Sequence, residues 1–199
     1  MRFHCGLLGA VACAAPLAGQ ATVQLSAGAT YSTALVDDGV LSTKLRPAIA
    51  PTAALDVAYP TGKGPYRVLA EVTYARSPLD VINTLGTSTD GQLPAVATVT
   101  TLLLAEGPLH GFFRWQAGGG AVFYLPTVNE GVFQNGGVHR WMLAAGLVWS
   151  HPLTETMKLQ VIGRVDNHAF TTSGLRARGY AGSQSVQRLG LRVGIERRL

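Results

Sequence analysis

Beyond about residue 21 the chain alternates apolar and polar side chains with a period of two, in segment after segment. The C-terminal stretch is the cleanest case. Leu189, Leu191, Val193 and Ile195 share one face, while Arg188, Gly190, Arg192, Gly194 and Glu196 share the other. Successive side chains of a strand point to opposite faces, so one face is greasy and the other ionic or small. Eight such segments are predicted, at about 22–35, 48–59, 65–76, 95–105, 109–125, 139–150, 156–170 and 187–199. The fourth is apolar on both faces. The fifth contains Gly118-Gly119-Gly120, which predicts a bend or bulge inside the strand. Short turns are expected at Pro60-Thr61-Gly62-Lys63-Gly64, Glu106-Gly107-Pro108 and Pro152-Leu153-Thr154-Glu155. The other connections are long and polar, and the one from Ser77 to about Pro94 has room for further strand pairing.

Alternating long and short connections are what a transmembrane β-barrel has, with short turns at one membrane face and longer loops at the other. The chain is therefore read as all-β, a single antiparallel up-and-down barrel of about eight strands whose apolar faces meet lipid. Composition supports this. Charged residues make up 14% of the chain, against a usual ~25% in soluble domains. A lipid-facing wall needs no solubilising charge. Past the N-terminus no run approaches the ~20 apolar residues of a membrane-spanning helix.

The first residues combine a basic start (Arg2), a short apolar core and small residues near Ala21, the features of a cleavable secretory signal. The expected division is a signal peptide at 1–21 and a barrel domain at 22–199. A lipoprotein-type cut before Cys13 is the alternative. Cys5 and Cys13 both fall in the signal, so the mature chain has no disulfide and no thiolate chemistry. The net charge of +5 is scattered, with no aromatic–basic cluster, and no nucleic-acid partner is expected.

Aromatic residues fall near both ends of the predicted strands. Tyr59, Tyr66, Phe113, Trp115 and Trp149 lie at the short-turn end, and Tyr31, Tyr74, Phe123, Trp141 and Phe170 at the long-loop end. Two such rings fit the two membrane interfaces. With its signal, eight alternating segments and terminal strand, the whole mature chain resembles the small eight-stranded outer-membrane barrels, typified by the OmpA membrane domain and its short relatives. That resemblance implies a cell outer-membrane location, lipid and lipopolysaccharide as surroundings, and delivery to the barrel-assembly machinery through the C-terminal strand. It also implies a monomer. Such terminal strands usually end in an aromatic. Here the last residue is Leu199, and Arg197 falls on the lipid side, at a rim where it can snorkel to headgroups.

If the apolar faces look outward, the lumen collects Asp56, Arg67, Glu71, Arg114, Lys158, Arg164, Asp166, Arg188, Arg192 and Glu196. An eight-stranded interior is only wide enough for side chains to fill it. Buried charges there must pair. A simple register in the last hairpin predicts ion pairs Asp166–Arg188 and Lys158–Glu196. Glycines on the same face (Gly28, Gly118, Gly120, Gly146, Gly190, Gly194) are expected to make room for long arginines.

The best catalytic-looking group is Asp166, His168 and Ser173, an acid–His–hydroxyl set that could act on lipid acyl groups. It lacks the close His–Ser spacing of known outer-membrane acyl enzymes. His110, His139 and His151 are dispersed and show no metal spacing, and no cofactor is expected. At the loop end Lys44, Arg46, Arg76, Arg140, Arg176 and Arg178 could meet lipopolysaccharide phosphates. The expected role is structural, envelope-stabilising or surface-interacting, with a lumen plugged by salt bridges. A narrow pore, a lipid-modifying enzyme using His168, and a soluble lipocalin-like barrel are the competing readings.

Overall fold

A computed structural model describes residues 21–38, 43–62, 64–82, 95–129, 131–133, 137–177, 179 and 182–199. All but the last residue of the expected signal peptide lies outside them. In chain order the elements are β1 (Thr22–Ser32), β2 (Val36–Asp38), β3 (Thr43–Pro47), β4 (Ala50–Pro60), β5 (Arg67–Ser77), β6 (Leu79–Ile82), β7 (Val96–His110), β8 (Phe113–Pro126), β9 (Val138–Pro152), β10 (Met157–Phe170), α1 (Ser173–Ala177) and β11 (Gln184–Arg198). Eight strands close into an antiparallel barrel in the order β1-β11-β10-β9-β8-β7-β5-β4. The barrel is sealed where β1 meets β11, with Thr22 opposite Arg198 and Ser32 opposite Arg188. No helix among the described residues is long and apolar enough to cross a membrane.

The two faces of the wall are chemically opposite. Leu191 is 61% exposed, and its neighbour Arg192 only 3%. Leu25, Leu103, Trp141, Leu143 and Val165 also face outward, while Gln24, Glu71, Gln160 and Arg164 are buried inside. A soluble barrel would place these faces the other way round. The outer surface is a hydrocarbon-compatible belt, and the closed sheet leaves no strand edge to lipid, as a membrane-spanning sheet requires.

Three sequence expectations are corrected. The second short turn is not Glu106-Gly107-Pro108. β7 continues through these residues, and the chain reverses at Gly111-Phe112, with Gly111 at φ 57° and His110 opposite Phe113. Gly107 is not a turn residue but a packing residue. A Cβ there would lie 2.7 Å from the Tyr66 ring and 2.8 Å from Trp115 Nε1. The continued strand swings Glu106 into the lumen.

The second correction concerns the glycine run, which makes no bulge. β8 keeps its register with β9 throughout, and with β7 up to Pro108. Phe170, finally, is no interfacial aromatic. It shares the inward parity of Asp166 and His168 and is fully buried. The remaining girdle residues are exposed or half-buried on the outer wall.

The long connections hold structure of their own. β2, β3 and β6 form a small sheet at the loop end, with Leu45 between Val36 and Val81. This sheet draws on the long loop after Ser77. α1 starts where Thr172 Oγ1 accepts the Leu175 amide at 3.1 Å, an N-cap that satisfies one free helix donor.

Candidate functional site

The lumen is the only place where the fold gathers many ionisable side chains among the described residues, in tiers from the turn end to the loop end. At the turn end Glu106, with no exposed surface, is the hub. Its Oε1 accepts Arg67 Nε at 2.6 Å and also Arg114 Nε, and its Oε2 accepts Gln116 Nε2 at 2.8 Å. Arg67 Nη1 reaches on to Glu196 Oε2 at 2.6 Å, where Gln160 Nε2 also donates at 2.9 Å. Lys158 Nζ stands 3.8 Å from Glu196 Oε1, with its side chain half-exposed at the rim.

The middle tier is built on Glu71. Its Oε1 accepts Arg164 Nη1, and also Thr73 Oγ1 at 2.6 Å, while its Oε2 accepts Arg192 Nη2 at 2.7 Å. Arg164 Nε lies 2.7 Å from Asp166 Oδ1. Asp56 is buried on β4 directly opposite Glu71. These contacts run across the barrel from β5 to β10 and β11, so Glu71 is clamped by two guanidiniums from the far wall. Charge-assisted bonds of this kind are roughly twice as strong as neutral ones.

Above this tier the groups are mostly neutral. Thr30 and Thr52 hydroxyls lie 2.9 Å apart, and the Tyr124 hydroxyl lies 2.7 Å from His168 Nε2. Arg188 Nη1 donates to Thr100 Oγ1 at 3.0 Å. Asp166 and Arg188 are cross-strand neighbours, yet they do not form the predicted ion pair. Asp166 turns to Arg164, two residues back on the same face, whose guanidinium Glu71 already holds in place. The loop end is closed by an apolar cap. Leu35, Phe133, Phe170, Leu175 and Val186 are buried together, with Phe170 5.1 Å from Tyr124 and 6.0 Å from Phe133, ring centre to ring centre.

The Asp166, His168 and Ser173 group is not arranged as an acyl-transfer triad. Asp166 is committed to Arg164, His168 Nε2 faces the Tyr124 hydroxyl, and His168 Nδ1 has no hydrogen-bond partner. Ser173 is the first residue of α1. No cluster of metal-ligating side chains occurs among the described residues.

Most inward glycines serve the wall more than the arginines. A Cβ on Gly28 would stand 2.7 Å from the Arg192 Cα, and on Gly118 and Gly120 within 2.9 Å of the Leu104 and Leu102 Cα atoms. Neighbouring backbones pass too close for any side chain. Only Gly146, where Arg164 Cγ would be 3.3 Å away, also answers to an arginine. At the loop end Lys44 pairs with Asp37 at 2.8 Å and Arg46 lies over the Tyr31 ring at 5.8 Å. Arg140 donates to the His139 and Thr171 carbonyls. Arg76 is exposed near the end of β5, Arg176 lies in α1, and Arg178 falls outside the described residues.

Sequence reasoning missed Glu106, because Gly-Pro after it reads as a turn. The signal that would have found it is parity: Leu102, Leu104 and Glu106 share one face.

No protein-family model matches the chain, and no curated protein matches it. Solved structures match its fold. The Neisserial surface protein A, NspA, superimposes with a TM-score of 0.54 at 10% identity, over 90% of this chain and 97% of that one. The outer membrane protein OprG from Pseudomonas aeruginosa gives 0.53 at 16% identity, over 90% and 95%. The outer membrane protein AlkL, solved in lipid bilayers, gives 0.55 at 13% identity, over 99% and 95%.

Proposed function

We propose that this chain, which has the fold of the small eight-stranded outer-membrane β-barrels, is a closed, non-enzymatic barrel of the outer membrane that strengthens the envelope and presents its loops outside. The observation that carries the reading is the lumen. Two ion-pair tiers and an apolar cap occupy it in sequence, and an eight-stranded interior leaves little room beside them. Cations near the outer girdle, such as Arg46 over Tyr31, favour lipopolysaccharide phosphates as neighbours. The regular alternation of β11, apolar outward and ionic inward, supports recognition of the terminal strand by the assembly machinery.

The test is electrical. Purified full-length protein in a planar bilayer is expected to give no steady conductance in concentrated salt. A reproducible open level in the wild type would instead favour the narrow pore. The non-enzymatic part has its own check. Mass spectrometry of lipid A from cells expressing the wild type and His168→Ala is expected to give identical species, since the histidine serves Tyr124. A modified lipid A present only with the wild type would make the protein an acyl-chain enzyme.

A further inference from the structure

Among the described residues the lumen holds six bases against five carboxylates, since Asp56, buried beside Glu71, adds to Glu71, Glu106, Asp166 and Glu196. Arg67, Arg114, Lys158, Arg164 and Arg192 each have a carboxylate oxygen within 4.0 Å, shared among Glu71, Glu106, Asp166 and Glu196. The sixth base, Arg188, is 5% exposed and has no such partner among the described residues; its hydrogen bond goes to the neutral Thr100 hydroxyl. Its cross-strand neighbour Asp166 is taken by Arg164. A buried cation without a counter-charge is strongly unfavourable.

Beside this guanidinium lies a cavity of about 20 Å³. Its polar lining is Arg188, Thr98, Thr30, Ser32, Ser77 and Tyr124. The Thr30 and Ser32 hydroxyls are engaged with Thr52 and with the Thr33 carbonyl. Tyr124 is engaged with His168. Arg188, Thr98 and Ser77 are therefore the polar side chains left to face the space. A volume of this size is on the scale of a single water or a monatomic ion. It is too small for phosphate or a carboxylate ligand.

We propose that this cavity is a binding site for one small monovalent anion of the halide class, seated between Arg188 and Thr98 as the missing counter-ion. The cavity lies near the loop-end ends of β1 and β4, on the loop side of the ion-pair tiers. The site is independent of the structural role proposed above. An anion held in place screens Arg188 and conducts nothing.

The experiment uses full-length protein folded in detergent. Its thermal midpoint is followed while gluconate is exchanged for chloride or bromide at fixed ionic strength. The wild type is expected to gain a few degrees and saturate, as ligand linkage requires. Arg188→Gln is expected to lose the response, and Thr98→Val to need more halide for it. Crystals of the wild type in bromide are expected to show an anomalous peak against Arg188. A flat wild-type titration, an equal response in Arg188→Gln, or bromide crystals without that peak would each overturn the site. If Arg188→Gln does not fold, the wild-type bromide density decides alone.

Discussion

Glu71→Ala is expected to lower the stability of the folded barrel by about 3–5 kcal/mol, the usual cost of removing one partner from a buried ion pair. The loss falls at the high end because one carboxylate serves two guanidiniums. Arg164 keeps Asp166 as a second partner, but Arg192 loses its only ion pair among the described residues and keeps a hydrogen bond to Thr73. Glu71→Gln should cost nearly as much, since it preserves volume and removes only charge. The check is an equilibrium urea titration of refolded protein, read by the mobility difference between folded and unfolded forms. Lys158→Ala provides the contrast. Its ion pair is long and half-exposed, and the expected change is within ~1 kcal/mol. Equal midpoints for Glu71→Ala and Lys158→Ala would mean that the middle tier does not hold the barrel together.

A second large effect is expected at the seam. Gly28→Val should abolish the folded form altogether. The Cβ would overlap the Leu191 carbonyl and lie 2.7 Å from the Arg192 Cα, and both are backbone atoms of the partner strand. Neither can rotate away. β1 and β11 would have to separate where the cylinder closes, leaving unpaired amides and carbonyls in hydrocarbon. Gly190→Ala, on β11 at the same seam, meets only the Thr30 hydroxyl at 3.6 Å and should fold normally. Gel mobility before and after heating distinguishes the two. A heat-modifiable band from Gly28→Val would show that the strands can splay at that point.

The barrel was legible in the sequence because strand parity is a local property. Each residue's character and its place in the alternation suffice to put Leu191 outside and Arg192 inside. Strand ends were less legible. Gly107-Pro108 has turn composition, yet Tyr66 and Trp115 pack over the glycine, and a distant hairpin decides what happens there. The parity argument was available for Phe170 and was overridden by its position near a strand end. Partner choice inside the lumen could not be read from register. Side chains of arginine length reach across the cylinder, so Arg164 meets Glu71 from another hairpin, and the adjacent Asp166 follows Arg164 instead of Arg188. In the sequence the small loop-end sheet is legible only as room for pairing, because Leu45 and Val81 come from separate loops.

The middle tier has a bearing on how the protein is made. Glu71 stands 93 residues from Arg164 and 121 from Arg192. No nascent hairpin contains both sides of either contact. An open, partly paired sheet therefore carries Glu71 without its far-wall guanidiniums, and Arg192 reaches it only as the last strand arrives. Such long-range rewards come late and make assembly slow and nearly all-or-none. A half-built intermediate has little reason to persist in the bilayer, and the step that commits the chain is the docking of β11.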